Sequence, residues 1–314
     1  MKKILIINNS IKPCGIQQWA ERIPKILRTS KKFNFIYRMV IRESDIISEI
    51  SAIKPDVVLY NYSPSTLPYL TKETLEQFKS IKHVAIIHEG YSIEKNAIGF
   101  NYFIYMISKA NISSEMASRV FIVPIRYLLE YSGGYPKNTV PTIGSFGFGF
   151  PSKRFDYIVE KINEEFDVAD IKFAISNSFH GDVNGFVTDA TIELCRTKIT
   201  KPRISLQVNR DFLTDNQVLE FLAGNDINCF FYDASKTDGI AGSTDFALSV
   251  KRPIAVTKVP MFEHLYSLVP SICIENSSIK EIMGRGIDPL KPIYDAFSND
   301  NFVKSFENIL EEIT

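Results

Sequence analysis

The sequence predicts an α/β fold made of two parallel-sheet domains that face a cleft, and three observations lead to this prediction. Short runs rich in β-branched residues alternate with stretches of helical spacing. The alternation stops at a segment rich in glycine and proline, residues 130–141, and then begins again. The chain has 314 residues, 45% of them apolar, which is enough for two ordinary domains. We place an N-terminal domain at residues 1–138 and a C-terminal domain at residues 139–314, with the last helix a candidate to pack back on the first domain.

Five runs in the first half are predicted to be strands because they are almost continuously apolar, as strands covered on both faces are. They are residues 3–9, 33–40, 56–62, 83–90 and 119–125. Four stretches between them have helical spacing, namely residues 16–29, 44–53, 71–80 and 101–110. Pro24 should bend or shorten the first of these helices. Strands that alternate with helices imply right-handed crossovers, and therefore a parallel sheet.

The second half repeats this order of elements. Its predicted strands are residues 142–150, 171–176, 203–209, 227–233, 253–258 and 270–275. Its predicted helices are residues 154–166, 185–197, 215–225, 243–250 and 299–313. Open parallel sheets bind ligands beyond the carboxyl ends of their strands, so we expect functional residues in the loops that follow strands.

Composition and charge exclude several classes of function. The 36 basic residues balance 36 acidic residues, so no global field favours nucleic acid. The spacing of the four cysteines indicates neither a metal site nor a disulfide framework, and their free thiols fit a reducing cytoplasm. These residues are Cys14, Cys195, Cys229 and Cys273. The apolar run in residues 1–10 is shorter than a secretion signal requires, so we interpret it as a first strand. Residues 97–110 are too short to span a bilayer, and we expect a cytoplasmic protein.

One basic segment raises the alternative of peripheral contact with the inner face of the membrane. Residues 21–33 carry cations that anionic lipids would attract, namely Arg22, Lys25, Arg28, Lys31 and Lys32. The same segment has Ile23, Ile26 and Leu27 at the spacing of a helix that packs on a core. We therefore favour a solvated helix face over a membrane contact.

In the first half, two loops that follow strands carry candidate functional residues. Cys14, Gly15 and Ile16 form a strand-to-helix turn, where a glycine lets the backbone approach a ligand and free N–H groups favour a phosphate. A plain turn is the alternative, since the three-glycine dinucleotide fingerprint is absent. His88 and Glu89 end the fourth strand, where a histidine can bond a sugar hydroxyl or move a proton and a carboxylate can act as a base. The alternative is a histidine that only caps the strand.

In the second half, residues 143–156 combine several glycines with Lys153 and Arg154 directly before a helix. Flexible backbone and two cations at a helix start suit a diphosphate group. A solvated basic turn is the alternative interpretation. Arg210 follows a later strand and would add a cation.

A second segment, residues 237–257, places Gly242, Ser243 and Thr244 where a helix should begin. These residues offer N–H groups and hydroxyls without bulk, which suits a phosphate, although an ordinary helix N-cap would have the same composition. Asp238 and Asp245 would repel a phosphate and fit better as acceptors for sugar or ribose hydroxyls.

Other candidates are weaker. His180 and Asp182 follow a strand and would line a base or sugar pocket, although most such residues only decorate loops. No pair of aspartates is separated by one residue, and no His-Glu-x-x-His motif occurs, so we expect no bound metal.

The segments above resemble those of GT-B glycosyltransferases, in particular the retaining, nucleotide-sugar-dependent family called glycosyl transferases group 1. Residues 143–162 resemble that family's strand, basic loop and helix, and residues 211–257 resemble its donor-binding block. Residues 4–23 are similar to its glycine-turn opening, and residues 86–90 to its strand that ends in a histidine. The resemblance implies two Rossmann-like domains and the retaining transfer of a sugar from a nucleotide diphosphate donor to a hydroxyl of a glycan, lipid-linked or small-molecule acceptor, without cofactor or metal.

The resemblance also implies roles for individual residues. Lys153 would hold the donor diphosphate, and His88 would lie near the reacting carbon. Asp238 would contact the transferred sugar, where the family has the first glutamate of its Glu–seven residues–Glu motif. The remaining donor-side residues would be Cys14, Gly15, Ile16, Ser145, Arg154, Arg210, Gly239, Gly242, Ser243, Thr244 and Asp245.

The sequence departs from the family pattern at three positions. Cys14 stands where the family has the paired glycine of its first turn. Phe246 stands where the second glutamate of the motif binds ribose, and Asp245 is the nearest substitute. Ser145 stands where the family has an arginine. A GT-B protein that binds ligand without turnover is therefore an alternative, as is another nucleotide-sugar enzyme such as an epimerase. If Glu89 acted as a base, the transfer would invert the configuration.

Overall fold

The fold was analysed in a computed structural model that describes residues 1–10, 14–88, 98–107, 112–123, 126–179, 181–233 and 239–314. The chain forms two compact units. Unit 1 comprises residues 1–126, 237–240 and 298–314, and unit 2 comprises residues 127–236 and 241–297. Each unit contains one parallel β-sheet with helices.

The units divide after Arg126, whereas the boundary predicted from the sequence lies at residue 138. The turn-rich segment belongs to unit 2 because its backbone and side chains bond to that unit. The Leu129 amide donates to Ser249 Oγ at 2.8 Å. Asn138 Nδ2 donates to the carbonyl oxygen of Gly224 and to Asp226 Oδ1, both at 3.1 Å.

The sheet of unit 1 has, among the described residues, the strand order β2-β1-β3-β4-β5-β6, and every pair is parallel. The strands are β1 (Lys2–Asn9), β2 (Phe33–Val40), β3 (Val57–Asn61), β4 (Lys82–Ile87), β5 (Tyr102–Tyr105) and β6 (Val120–Ile122). The helices between them are α1 (Gly15–Leu27), α2 (Glu43–Ile53) and α3 (Lys72–Gln77). Pro24 lies inside α1, and the Arg28 amide still donates to its carbonyl oxygen.

One prediction for unit 1 is wrong: residues 101–110 were expected to form a helix, but their start forms β5. Phe103, Ile104 and Tyr105 are almost completely buried, and β5 pairs with β4 on one side and β6 on the other. A short run of contiguous aromatic and β-branched residues is covered on both faces in such a central strand, whereas an amphipathic helix would leave one face in water.

The sheet of unit 2 has the order β11-β10-β7-β8-β9, again all parallel. Its strands are β7 (Thr142–Phe148), β8 (Ala169–Ser176), β9 (Ile204–Asn209), β10 (Ile227–Phe230) and β11 (Ile254–Val256). Its helices are α4 (Phe155–Glu165), α5 (Phe186–Thr197), α6 (Asp215–Ala223), α7 (Ser243–Ser249), α8 (Ile279–Gly284) and α9 (Lys291–Ala296). The strand predicted at residues 270–275 is reduced to one bridge between Cys273 and Val256.

The last helix, α10 (Asn299–Ile313), belongs to unit 1. Its apolar residues recur at helical spacing and are buried, namely Phe302, Val303, Phe306, Leu310 and Ile313. The Phe302 ring meets the Trp19 ring of α1 edge-on at 6.3 Å, and Ser30 Oγ donates to Glu307 Oε1 at 2.6 Å. On the same unit, Lys32 of the basic segment pairs with Glu311 at 2.8 Å.

Candidate functional site

Polar side chains end three neighbouring strands of unit 1 and bond to one another. Asn8, Asn61 and His88 stand at the carboxyl ends of β1, β3 and β4, and both asparagines are completely buried. His88 Nε2 lies 2.8 Å from Asn61 Oδ1, and Asn61 Nδ2 donates to Asn8 Oδ1 at 2.9 Å. Buried polar groups require such partners, and here they supply one another. We call this series the Asn8–Asn61–His88 chain.

His88 is held in the neutral state. The residue is half-buried, and the Trp19 ring meets its imidazole edge-on at 4.5 Å between centroids. Burial and, as the smaller cause, the Arg126 guanidinium together lower the pKa of His88 to about 3. At neutral pH the imidazole therefore carries one proton and one free lone pair.

The pKa of His88 predicts a pH dependence of stability. Between its unfolded pKa of about 6.5 and its folded pKa, the unfolded chain binds one more proton, so acidification lowers the free energy of unfolding by about 1.4 kcal/mol per pH unit. The stability is complete above pH 6.5 and is lost as the pH falls. Urea unfolding of the wild type and His88→Gln should therefore show a difference in unfolding free energy that changes by about 2 kcal/mol between pH 7.5 and pH 5. Parallel pH curves for the two proteins would contradict a neutral His88.

Cys14, Gly15 and Ile16, at the start of α1, lie next to the Asn8–Asn61–His88 chain. Cys14 is the N-cap of α1, and its Sγ accepts a hydrogen bond from the Gln17 amide at 3.5 Å. A Cβ atom built on Gly15 would meet no heavy atom of the described residues within 4 Å. The Ile16 carbonyl oxygen accepts from Asn61 Nδ2 at 2.9 Å. Glu89, the predicted base, lies outside the described residues.

In unit 2, Lys153 is a cation next to hydroxyl groups. Lys153 ends a short 3₁₀ turn (Pro151–Lys153) that follows β7, and its Nζ lies 3.8 Å from the centre of the Tyr232 ring. The Tyr232 hydroxyl is bonded to Ser243 Oγ at 2.8 Å. Among the described residues, no carboxylate pairs with Lys153, and its contact with the ring is a cation–π interaction.

The start of α7 presents some of its predicted ligand groups and turns others inward. Gly242 is exposed and Ser243 half-buried, and their amides donate to no acceptor in the described part of the chain. The Thr244 hydroxyl instead donates to the Ala241 carbonyl oxygen at 2.7 Å, and the residue is fully buried. Asp245 is also buried within α7. Gly242 and Ser243 are therefore the accessible part of this segment.

The other predicted cations are engaged in ion pairs. Arg154 contacts Asp156 at 3.2 Å and Asp233 at 2.9 Å, and side-chain hydrogen bonds, first that to Asp233, raise the pKa of its guanidinium. Arg210 pairs with Asp189 and bonds Asn177 Oδ1 at 2.6 Å. Lys153, by contrast, pairs with no carboxylate among the described residues. An anion that binds Lys153 therefore displaces none of them.

The structure places the remaining candidates as follows. Ser145 is almost completely buried. It lies inside β7, which continues for three residues after it, so Ser145 is not part of the basic loop. Asp182 bonds the Val187 and Thr188 amides and so caps α5. Gly239 is buried and grouped with unit 1. Asp238 and His180 lie outside the described residues.

The described residues contain no group of three histidine, cysteine, aspartate or glutamate side chains that would hold a metal ion. None of their helices combines the length and the apolar character needed to cross a bilayer.

Comparison with known proteins gives matches at the level of structure. No protein-family model matches the sequence, and no curated protein matches it by sequence. HepE of Anabaena, solved in complex with UDP and glucose, has a TM-score of 0.66 at 11% identity, and the match covers 99% of this chain and 100% of HepE. The apo form of the lipopolysaccharide outer core galactosyltransferase WaaB has a TM-score of 0.60 at 12% identity and complete coverage of both chains. A structure of trehalose-6-phosphate synthase has a TM-score of 0.67 at 9% identity, with 99% of each chain covered.

These solved structures are GT-B glycosyltransferases. This chain has the GT-B fold. The fold confirms the resemblance found in the sequence. At sequence identities of 9–12%, the solved structures show the fold of this chain and nothing beyond it.

Several residues near the candidate site of this GT-B chain were missed in the sequence, among them Asn61, Tyr232 and Arg126. Asn61 and Tyr232 each end an apolar strand with a polar group, and this signal was available, since polar side chains at the carboxyl ends of parallel strands face the ligand side. Arg126 follows β6 and is buried near His88. No sequence pattern shows this proximity, because it depends on the pairing of β4, β5 and β6.

Proposed function

We propose that this GT-B chain is a glycosyltransferase that moves a sugar from a nucleotide diphosphate donor to an acceptor hydroxyl, with retention and without a bound metal. The observation that carries the proposal is the arrangement of Lys153, Tyr232 and Ser243 in unit 2. Lys153, which has no carboxylate partner among the described residues, lies over the ring of Tyr232, and the hydroxyl of that ring bonds Ser243. The amides of Gly242 and Ser243 have no acceptor in the described part of the chain. The solved structures of HepE, which contain UDP, support a nucleotide as the ligand of this arrangement.

Lys153 and its neighbours would stabilise the leaving group. When the bond between sugar and diphosphate breaks, negative charge grows on the phosphate oxygens. Lys153 Nζ, the Ser243 hydroxyl and the amides of Gly242 and Ser243 are the groups that meet this charge in our proposal. The Tyr232 ring beneath Lys153 keeps the ammonium group in place before the donor binds, so little reorganisation is needed.

The acceptor side of the proposal concerns unit 1. His88 is half-buried and its lowered pKa keeps the imidazole neutral, which suits a hydrogen bond to a sugar hydroxyl. A retaining transfer needs no protein base in this scheme, since the departing phosphate takes the proton of the acceptor hydroxyl. The class of acceptor is a glycan, a lipid-linked sugar or a small molecule in this proposal.

A two-stage experiment tests the proposed function. Thermal unfolding is measured with UDP, GDP and ADP and their glucose or mannose derivatives, because a ligand at 100 times its dissociation constant stabilises the fold by about 2.7 kcal/mol. The nucleotide sugar that raises Tm is then incubated with the protein, and the released diphosphate and the anomeric configuration of the product are measured. Stabilisation followed by release of nucleotide diphosphate supports the proposal, whereas no shift with any of these ligands contradicts it.

One observation favours a second candidate, a GT-B protein that binds its donor without turnover. Phe246 stands where the resembled family has a ribose-binding glutamate, and its ring packs edge-on against Phe146 of β7 at 5.5 Å. The residue is buried, so this position contributes to the core of unit 2 and offers no carboxylate. A Tm shift without release of nucleotide diphosphate at high protein concentration would identify this case.

A further inference from the structure

We infer that Asn61 is a positioning residue that holds His88 in the tautomer with its proton on Nε2, so that Nδ1 is left as a hydrogen-bond acceptor for a ligand hydroxyl. The tautomer follows from the contacts of unit 1 alone. Only the ligand that supplies the hydroxyl rests on the proposed function.

Two backbone carbonyl groups fix the direction of every hydrogen bond in the Asn8–Asn61–His88 chain. Carbonyl oxygens only accept, so the side-chain atom that faces each of them must be an amide nitrogen. Asn8 Nδ2 lies 3.0 Å from the Gln17 carbonyl oxygen, and Asn61 Nδ2 lies 2.9 Å from the Ile16 carbonyl oxygen. Both carbonyl groups belong to the first turn of α1. Neither amide can therefore be turned over without an oxygen–oxygen contact.

The fixed amides determine the proton of His88. Asn61 Nδ2 donates its two hydrogens to the Ile16 carbonyl oxygen and to Asn8 Oδ1. Its Oδ1 therefore faces His88 Nε2 at 2.8 Å and accepts, so Nε2 must carry the hydrogen. A neutral imidazole has one hydrogen on nitrogen, which leaves Nδ1 with a lone pair.

The second ring nitrogen of His88, Nδ1, makes no hydrogen bond with the described residues. The residue as a whole is half-buried. Rotation of the ring by half a turn would place a carbon atom against Asn61 Oδ1 and lose the bond. The Trp19 ring, 4.5 Å away, packs against the imidazole and limits its other movements. Nδ1 is thus a fixed acceptor at the carboxyl edge of the sheet.

A fixed acceptor selects its ligand by chemistry. A hydroxyl group can donate to Nδ1, whereas a phosphate oxygen or a carbonyl oxygen cannot, and a deoxy analogue leaves the lone pair without a partner. We therefore assign to His88 the recognition of a hydroxyl on the transferred sugar or its acceptor. Asn61 acts through His88 and is not itself expected to touch the ligand.

The experiment is nitrogen-15 NMR of the full-length protein with labelled histidine, in which His88→Gln identifies the His88 signals. The wild type should show a protonated Nε2 and an unprotonated Nδ1 from pH 8 to pH 5. Asn61→Ala should lose this preference and populate both tautomers. Tyr37→Phe is the matched control, because it removes a partner of Asn8 Nδ2, 2.9 Å away, at the far end of the series and leaves the bond between Asn61 and His88 intact. A proton on Nδ1 in the wild type, or an unchanged tautomer in folded Asn61→Ala, would overturn the inference.

A kinetic measurement links the tautomer to function and separates the two proposals. If the protein transfers sugar, Asn61→Ala should lower kcat/KM by about tenfold, the effect of one hydrogen bond, while the affinity for the free nucleotide diphosphate stays unchanged. An equal loss of nucleotide affinity would show a general structural defect and contradict the positioning role. If the wild type has no activity with any donor, the proposed function fails, and the NMR result still decides the tautomer.

Discussion

Lys153→Ala is expected to lower kcat/KM for the nucleotide sugar by about 10²- to 10³-fold, the effect of removing one group that stabilises developing charge. Lys153 Nζ lies over the Tyr232 ring and has no carboxylate partner among the described residues, so its loss removes a charge available to the ligand and breaks no ion pair. The free energy of unfolding should change little. Steady-state kinetics with the donor found by thermal unfolding would measure the effect.

The control for this prediction is Lys291→Ala. It removes the same charge from the same unit, from an exposed pair with Asp288 at 2.7 Å. Exposed pairs contribute little to stability, so this variant should keep wild-type activity and Tm. Equal activity of Lys153→Ala and the wild type would show that Lys153 does not meet the leaving diphosphate.

Gly144→Ala should destabilise unit 2 by about 3 kcal/mol, through overpacking and the loss of a buried hydrogen bond. Gly144 lies in β7 and pairs with Asn228 of β10. A Cβ atom there would lie 1.8 Å from Asn225 Nδ2 and 2.9 Å from Asn228 Oδ1. These two asparagines are fully buried and bond to each other at 2.9 Å, so neither side chain can move away into solvent. Urea unfolding followed by circular dichroism would measure the loss.

Gly284→Ala provides the comparison for the same chemical change. Gly284 ends α8, and a Cβ atom built on it meets nothing within 4 Å. Alanine is the better helix former, so this variant should be unchanged or more stable by up to about 1 kcal/mol. If Gly144→Ala were as stable as Gly284→Ala, β7 would not pack against the two asparagines as described.

Local patterns in the sequence were enough for most of the fold. The buried strands β1, β3 and β4 are continuous apolar runs, and α10 has buried residues at helical spacing, so each element follows from its own residues. The error at β5 has a physical reason. Four residues of aromatic and aliphatic character satisfy a helix or a strand equally well, and only the pairing with β4 and β6 decides between them.

The candidate site divides in the same way. The sequence predicted Lys153, Ser243 and His88 as candidates because glycine-rich loops, cations and strand-ending polar residues are local signals. It missed Tyr232 and Asn61, and it treated Arg154 and Thr244 as ligand groups although the first is paired with two aspartates and the second bonds a backbone carbonyl group. Whether a polar side chain is available depends on its neighbours in space, which no spacing along the chain records.

What the sequence determined by itself is the class of each strongly periodic segment and the position of its loops, because both depend on neighbours a few residues away. The tautomer that we infer for His88, and the lack of a carboxylate partner of Lys153 among the described residues, depend on the tertiary structure alone. The first is set by the carbonyl groups of α1 acting through side chains from β1 and β3, and in the second case Lys153 lies over the ring of Tyr232, 79 positions beyond it in the sequence. Hydrogen bonds and cation–π contacts act over a few ångströms, so only the packing of distant segments brings these groups within reach.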